Sequence, residues 1–219
     1  MSTTRRGPGR PKSESKRERI VAAARELFVR EGITATSMTR IAERAGVARP
    51  TLYSHFADKE ALFAEVIARV RRDRTAAMGE GSPPAGTVLA NPDILVALAG
   101  LAAYLVELIT DPELAALRRL LISEDLPVGW RTVWALEGPD VLRAALARDL
   151  AHRPELDVPD PDLAAEQFLA LTTHRASLDA LHGISHPPEH YRTVEACVVF
   201  LRAYGKLSAP GEAGAGTPR

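Results

Sequence analysis

Apolar positions between residues 33 and 63 fall into two short helical stripes separated by a glycine. Met38, Ile41, Ala42 and Ala45 recur at spacings of three and four, which lines one face of a helix and leaves Thr39, Arg40, Glu43 and Arg44 on the other. Gly46 ends that pattern, because glycine enters the left-handed conformation without steric cost. Val47 is an apolar turn residue placed to wedge between helices, and Pro50 sits where a helix's first turn has no hydrogen bond to lose. On the second helix, about 50 to 56, Leu52 and Phe56 face inward. Arg49, Pro50, Thr51, Tyr53, Ser54 and His55 are left outside, a costly set for so short a helix unless it touches something. This is the layout of a helix-turn-helix that reads DNA. Asp58 then caps a following helix whose first amides, with Lys59, suit a phosphate.

The remaining pattern is helical throughout. Glu60 to Met78 continues a fourth helix, and Gly79 to Gly86 breaks it. Asn91-Pro92 caps a helix over Asp93 to Ile109 that is apolar nearly all round and so predicts a buried central element. Asp111-Pro112 caps the next, Glu113 to about Asp125, with Leu114, Leu117, Leu120 and Leu121 on one face. Pro127-Val128-Gly129 precedes a helical stretch from Trp130 to His152, kinked at Gly138-Pro139. Asp160-Pro161 caps Asp162 to Leu181, and Pro187-Pro188 precedes a last helix from about Glu189 to Tyr204. No alternating β-branched runs occur, so the expected fold is all-α, about nine helices, without internal repeats. Three or four form an N-terminal unit and the others a larger second domain. The expected division is a basic disordered arm over 1–15, the helix-turn-helix domain over 16–62, the helical domain over 63–205 and a disordered tail over 206–219.

Charge changes the picture only when it is divided along the chain. The 219 residues hold 28 basic and 28 acidic side chains, but residues 1–80 hold 17 basic against 10 acidic, giving halves of +7 and −7. A basic N-terminal unit attracts the DNA backbone, while an acidic remainder keeps its other surface off the polymer. Much of the excess lies in the first nineteen residues, where Arg5, Arg6, Arg10, Lys12, Lys16, Arg17 and Arg19 stand among glycines and prolines with nothing apolar to bury. That segment is expected to be disordered. Its Gly9-Arg10-Pro11 core looks like the tripeptide of AT-hook arms that enter a narrow minor groove, the alternative being a solvated basic tail with non-specific attraction. No signal-peptide core and no run of about 18 apolar residues occurs, so neither export nor membrane insertion is expected. The single cysteine, Cys197, excludes an intramolecular disulfide and fits a reducing cytoplasm.

The run SMTRIAERAGVARPTLYSHFADKEALF resembles the helix-turn-helix of the TetR family of bacterial transcriptional regulators, and the likeness reaches back through Arg19 to Phe28 and Glu31-Gly32. It covers roughly residues 16 to 70 and is specific, since a generic helix-turn-helix would not demand T-L-Y-x-H-F-x-x-K-E-x-L. The resemblance implies that Thr39 and Arg40 lie near phosphates. It presents Arg49, Pro50, Thr51, Tyr53 and His55 to the major groove and its flanking backbone, and sets Lys59 on a phosphate. Arginine at position 49 suits bidentate contact with a guanine, worth about 1–3 kcal/mol of discrimination, and Pro50 and Thr51 suit a thymine methyl.

The family resemblance also implies a homodimer on a palindromic operator and a small-molecule effector bound in the second domain. Leu171, Leu178 and Leu181 on one of the last two long helices, and Val194, Val198 and Leu201 on the other, give more apolar surface than a lone helix pair needs, so they are the candidates for a dimeric four-helix bundle. Packing within the monomer alone is the alternative. Tyr104, Trp130, Trp134 and Phe168 are candidate cavity walls, with Thr172, Thr173 and His174 as polar points, against a plain core reading of the same residues.

Enzymatic classes find no support. There is no Cys/His zinc cluster, H-E-x-x-H, G-x-S-x-G elbow or glycine-rich phosphate loop. His182, His186 and His190 are spaced by four but straddle Gly183 and Pro187-Pro188, so they do not share a helical face, and no metal or cofactor is implied. The sequence reading is therefore a homodimeric, effector-released repressor in the cytoplasm. A DNA-binding protein of nucleoid organisation or replication control, without an effector, is the alternative.

Overall fold

The computed structural model describes residues 12–78, 89, 91–127, 130 and 139–206. Among the described residues the chain forms nine α-helices: α1 Lys12–Glu31, α2 Met38–Ala45, α3 Arg49–His55, α4 Lys59–Met78, α5 Ile94–Thr110, α6 Pro112–Ser123, α7 Pro139–Ala151, α8 Pro161–His182 and α9 Thr193–Tyr204. A 3₁₀ turn at Pro188–Tyr191 precedes the last, and the only extended pairing described is an isolated bridge between Leu156 and Gly205. The all-α architecture is that expected from the periodicity.

Capping sets several of the boundaries. Ser37 accepts from Arg40 N at 3.2 Å, Asp58 from Ala61 N at 2.7 Å, Asp111 from Glu113 N and Leu114 N, and Asp160 from Leu163 N. Gly46 and Gly183 end α2 and α8 in the left-handed region.

Three boundaries differ from the sequence reading. Asp93, not Asn91, caps α5; Asn91 Oδ1 instead accepts from Asp93 N at 2.9 Å, so two acidic or amide side chains divide the entry turn. The last helix does not begin at Glu189, because Arg192 takes φ 50°, ψ 44° and separates the 3₁₀ turn from α9, allowing Tyr191 as well as Cys197 and Phe200 to be buried. Residues 12–19 are helical rather than part of a free arm. Arg17 donates to Glu65 at 2.6 Å and lies 4.9 Å over the Phe56 ring, and Arg69 pairs with Glu18, so charge on the second turn of α1 is tied to α4. Arg5, Arg6, Arg10, the expected kink at Gly138, the break over 79–86 and the tail from 207 lie outside the described residues.

The packing does not divide at residue 62. One core joins α1–α4 to the inner face of α6, bringing Phe28, Leu52, Phe63 and Val70 together with Leu114, Leu117, Leu121 and Trp130. Phe63 contacts Phe28 and Trp130 through ring centroids 5.4 and 5.5 Å apart. A second core, from α5, α7, α8 and α9, is centred on Leu98, Leu101, Phe168 and Phe200. No single helix among the described residues is long and apolar enough to cross a membrane.

Polar contacts reinforce the join at α6. Glu124, just beyond that helix, accepts from Ile33 N at 2.8 Å, Thr34 N at 2.7 Å and the Thr34 hydroxyl at 2.5 Å. At the other end of α6, Glu113 pairs with Arg25 of α1. Burial pushes the Glu124 carboxyl up, but the Thr34 and Ile33 hydrogen bonds and the Lys59 charge outweigh it and hold it below the usual carboxylate range. Gly32 stands against this carboxylate at φ +90°, and a Cβ there would lie 2.7 Å from Glu124 Oε1.

Gly32→Ala is therefore expected to lower stability by at least about 1–3 kcal/mol, from left-handed strain and displacement of Glu124 together. Glu124→Gln is expected to cost about 1–3 kcal/mol at neutral pH. A carboxyl whose folded pKa is depressed stabilises fully above its unfolded pKa and loses that contribution as pH falls through the folded value, so the Glu124→Gln penalty should shrink in acid. Urea unfolding of both variants at neutral and acidic pH measures these differences.

Candidate nucleic-acid interface and ligand cavity

The first candidate surface is built by burying one face of a seven-residue helix. In α3, Leu52 is fully buried and Phe56, just past its end, is nearly so, which pins the helix against α1 and α2. Arg49, Pro50, Tyr53 and Ser54 are consequently exposed, while Thr51 and His55 are half-buried. Tyr53 leaves 46% of its surface in solvent. Arg49 makes no ion pair or hydrogen bond among the described residues, and residues 44–57 carry Arg44, Arg49 and His55 without an acidic side chain. The turn behind this face is held by Arg19, which donates to Gly46 O at 3.1 Å, and by Val47 N donating to Ala42 O at 3.0 Å.

The other residues expected at this surface divide. Thr39 is half-buried at the start of α2, and Arg40 is exposed but pairs with Glu31 at 2.9 Å. Lys59 is engaged within the protein. Its ammonium donates to Ile33 O at 2.7 Å and Thr36 O at 2.9 Å, and burial lowers its pKa. Lys59 thus closes the loop between α1 and α2, with two of its three N–H groups turned inward rather than toward a phosphate. Lys12 opens α1.

A cavity of about 250 Å³ lies among α4–α8. Its apolar walls are Leu105, Leu108 and Ile109 of α5, Leu114 of α6, Leu142 of α7 and Leu169 of α8; Arg71, Arg118, Thr173 and Ser177 supply its polar groups. The walls expected from the aromatic residues lie elsewhere. Phe168 and Thr172 are core, with Thr172 Oγ1 donating to Phe168 O at 2.8 Å, and Trp130 packs in the first core. Tyr104 spans the two cores, its hydroxyl 3.0 Å from Thr75 Oγ1, while His174 is exposed. Trp134 lies outside the described residues. Of the expected polar points, Thr173 lines the cavity. Arg118 was legible as an anomaly, since it falls four residues after Leu114 and three before Leu121, in the inward register of α6.

An apolar face remains uncovered on α8 and α9. Leu171 and Leu178 are 49% and 40% exposed and lie seven residues apart on α8, and Val194 on α9 is 52% exposed. Leu181, Val198 and Leu201 are half-buried, Leu201 against the second core. Between these helices, His186 and His190 do come together despite the intervening prolines, stacked with centroids 3.9 Å apart. His186 Nε2 is 3.8 Å from the buried Asp179, whose carboxylate also holds Arg175 at 2.9 Å. His182 is not part of that group.

The comparisons with known proteins agree with this geometry. Residues 20–66 match the model for bacterial regulatory proteins of the tetR family, and residues 96–206 match that for the C-terminal domain of AefR-like transcriptional repressors. The HTH-type transcriptional activator FasR of Mycolicibacterium smegmatis is 45% identical over 65 residues, 30% of this chain and 29% of that protein. The HTH-type transcriptional repressor BepR of Brucella suis is 42% identical over 55 residues, 25% of this chain and 26% of that one. The chain thus spans less than a third of the length of these curated relatives. Solved structures align more fully. A TetR-family regulator from Mesorhizobium loti superposes with a TM-score of 0.72 at 28% identity, covering 90% of this chain and all of that one (100%). The flavonoid-responsive regulator FrrA does so with a TM-score of 0.72 at 28% identity, over 88% and 98%. Since the two models account for the helix-turn-helix and for half of the chain behind it, the protein belongs to the TetR family of bacterial transcriptional regulators.

Proposed function

We propose that this protein is a homodimeric repressor that occupies a palindromic operator in the cytoplasm and is released by a small-molecule effector. The observation that carries the reading is the outward face of α3, where Arg49, Pro50 and Tyr53 are exposed while Leu52 and Phe56 anchor the helix from behind. A short helix fixed on its apolar side presents its other face at the width of a major groove. Arg49 is the base-reading residue in this proposal, through a guanine. Tyr53, with Thr39 and Arg40, positions the backbone.

Dimerisation is supported by the open apolar face of α8 and α9, where a second copy would cover Leu171, Leu178 and Val194. Effector response is supported by the cavity and by the similar regulator FrrA, described as flavonoid-responsive. An effector acts by favouring the conformer that does not fit the operator, and a coupling of about 1–3 kcal/mol weakens binding by about 5–150-fold.

Selection of sites from random duplex DNA, followed by gel-shift titration, tests the proposal. A palindromic consensus bound by a dimer is expected; binding without consensus that fades only with salt would refute it. Arg49→Ala should relax the preference at one base pair of each half-site, with a loss of about 1–3 kcal/mol per contact. Tyr53→Ala should weaken binding to all sequences alike. Lys59→Met should lower the unfolding midpoint, through two lost charge-assisted bonds worth about 1.5–3 kcal/mol each, and should weaken DNA binding only as far as the helix-turn-helix unfolds. Leu171→Asp with Leu178→Asp should yield monomers in sedimentation velocity and remove operator binding at concentrations where the unmodified protein is saturated.

A further inference from the structure

We propose that the cavity among α4–α8 takes an amphipathic organic anion, a carboxylate on an aliphatic or single-ring aromatic body, with its head on Arg118. This rests on the effector-responsive reading above and specifies the chemical class of that effector.

The described lining disfavours a cationic occupant. Six leucine or isoleucine side chains form its walls, and no Asp or Glu is among its described lining residues, so a cationic amphiphile would meet the Arg118 guanidinium with no acidic side chain there to receive it. Arg118 has no hydrogen bond and no ion pair among the described residues, whereas the adjacent Arg119 donates to Ala180 O at 2.7 Å. Burial alone pushes the Arg118 guanidinium down from its ordinary value. A desolvated cation facing an apolar cavity is costly, and the group that relieves it is an anion that brings its own apolar surface.

The hydroxyls refine the fit. Thr173 already donates to Leu169 O at 2.7 Å and offers only lone pairs, so the donors that the described lining offers a carboxylate are the Arg118 fork, the Arg71 guanidinium and the Ser177 hydroxyl. At about 250 Å³ the space lies just below the usual range for ligand sites, about 300–1,000 Å³, which favours a medium-chain acid or one aromatic ring over a polycyclic body. The seat also has a route to the DNA-reading unit. Arg118 is on α6, whose two ends hold α1 through Glu113 and the loop before α2 through Glu124.

The test uses the full chain and four probes: octanoate, para-propylbenzoate, octanol and octylamine. Calorimetric titration should show binding of one or both acids, which distinguishes the aliphatic from the aromatic source, with octanol weaker by about ten- to a hundredfold and octylamine not bound. Arg118→Leu should weaken the acids by the same factor, bring acid and alcohol to parity, and keep or raise the unfolding midpoint. Arg118→Lys should recover part of the acid affinity. Equal affinity for octanol and octanoate, binding of octylamine, absence of binding by either acid, or acid binding unaffected by Arg118→Leu would each overturn the inference. Gel-shift titration of the operator with the bound acid separates this from the functional reading. Arg118-dependent binding that leaves DNA affinity unchanged supports the anion site and counts against release by an effector.

Discussion

The rest of the structure depends on the join between α6 and the DNA-reading unit. Helix α6 belongs by chain position to the second domain, yet Leu114, Leu117 and Leu121 complete the core under α1 and α4. Glu124 then ties the end of α6 to Ile33 and Thr34, the residues that lead into the helix-turn-helix. Close-packed interiors transmit displacement rather than absorb it, so a shift of α6 must be felt at α2 and α3. The same helix presents Leu114 and Arg118 to the cavity. In the proposed function, an element gripped at both ends by one unit and lining a cavity in its middle would be the physical means of converting occupancy into DNA-head orientation.

Electrostatics looks different once the partners are known. The N-terminal half is strongly basic by count, but Arg17, Arg25, Arg44, Arg69, Arg72 and Arg74 pair with carboxylates in α1, α4, α5 and α6. Of these, Arg17, Arg25, Arg44, Arg69 and Arg74 fasten helices to one another, while Arg72 pairs within α4. What faces outward on α3 is smaller in charge: Arg49, without an ion pair among the described residues, beside an exposed Tyr53. Exposed pairs such as Arg40 with Glu31 contribute only about 0–1 kcal/mol, so exchanging such a carboxylate for a DNA phosphate costs little.

Helix α8 shows why the second domain was harder to read. Phe168, Thr172 and Ala176 pack into the core, Leu169, Thr173 and Ser177 line the cavity, and Leu171 and Leu178 lie on the uncovered face. All three faces carry apolar residues, so periodicity identifies a helix without telling which stripe does which task. Aromatic residues misled for a related reason. Phe168 and Trp130 are large and apolar enough to be either core or cavity wall, and the way the helices cross made them core. Arg118 left a signal, an arginine in an inward register, whose meaning required knowing that an open space lay opposite.

By itself the sequence determined the all-α fold, the caps at Asp58, Asp111 and Asp160, the turn at Gly46, and the inward placement of Leu52 and Phe56, because each depends on spacing and side-chain chemistry within a few residues. Only tertiary structure decided that Lys59 turns toward the carbonyls of Ile33 and Thr36, that α1 begins at Lys12 with Arg17 on Glu65, that His186 and His190 meet beside Asp179, and that the cavity is lined by leucines around Arg118. Each of these joins residues on different elements, and a local pattern carries no information about which element will lie across the gap.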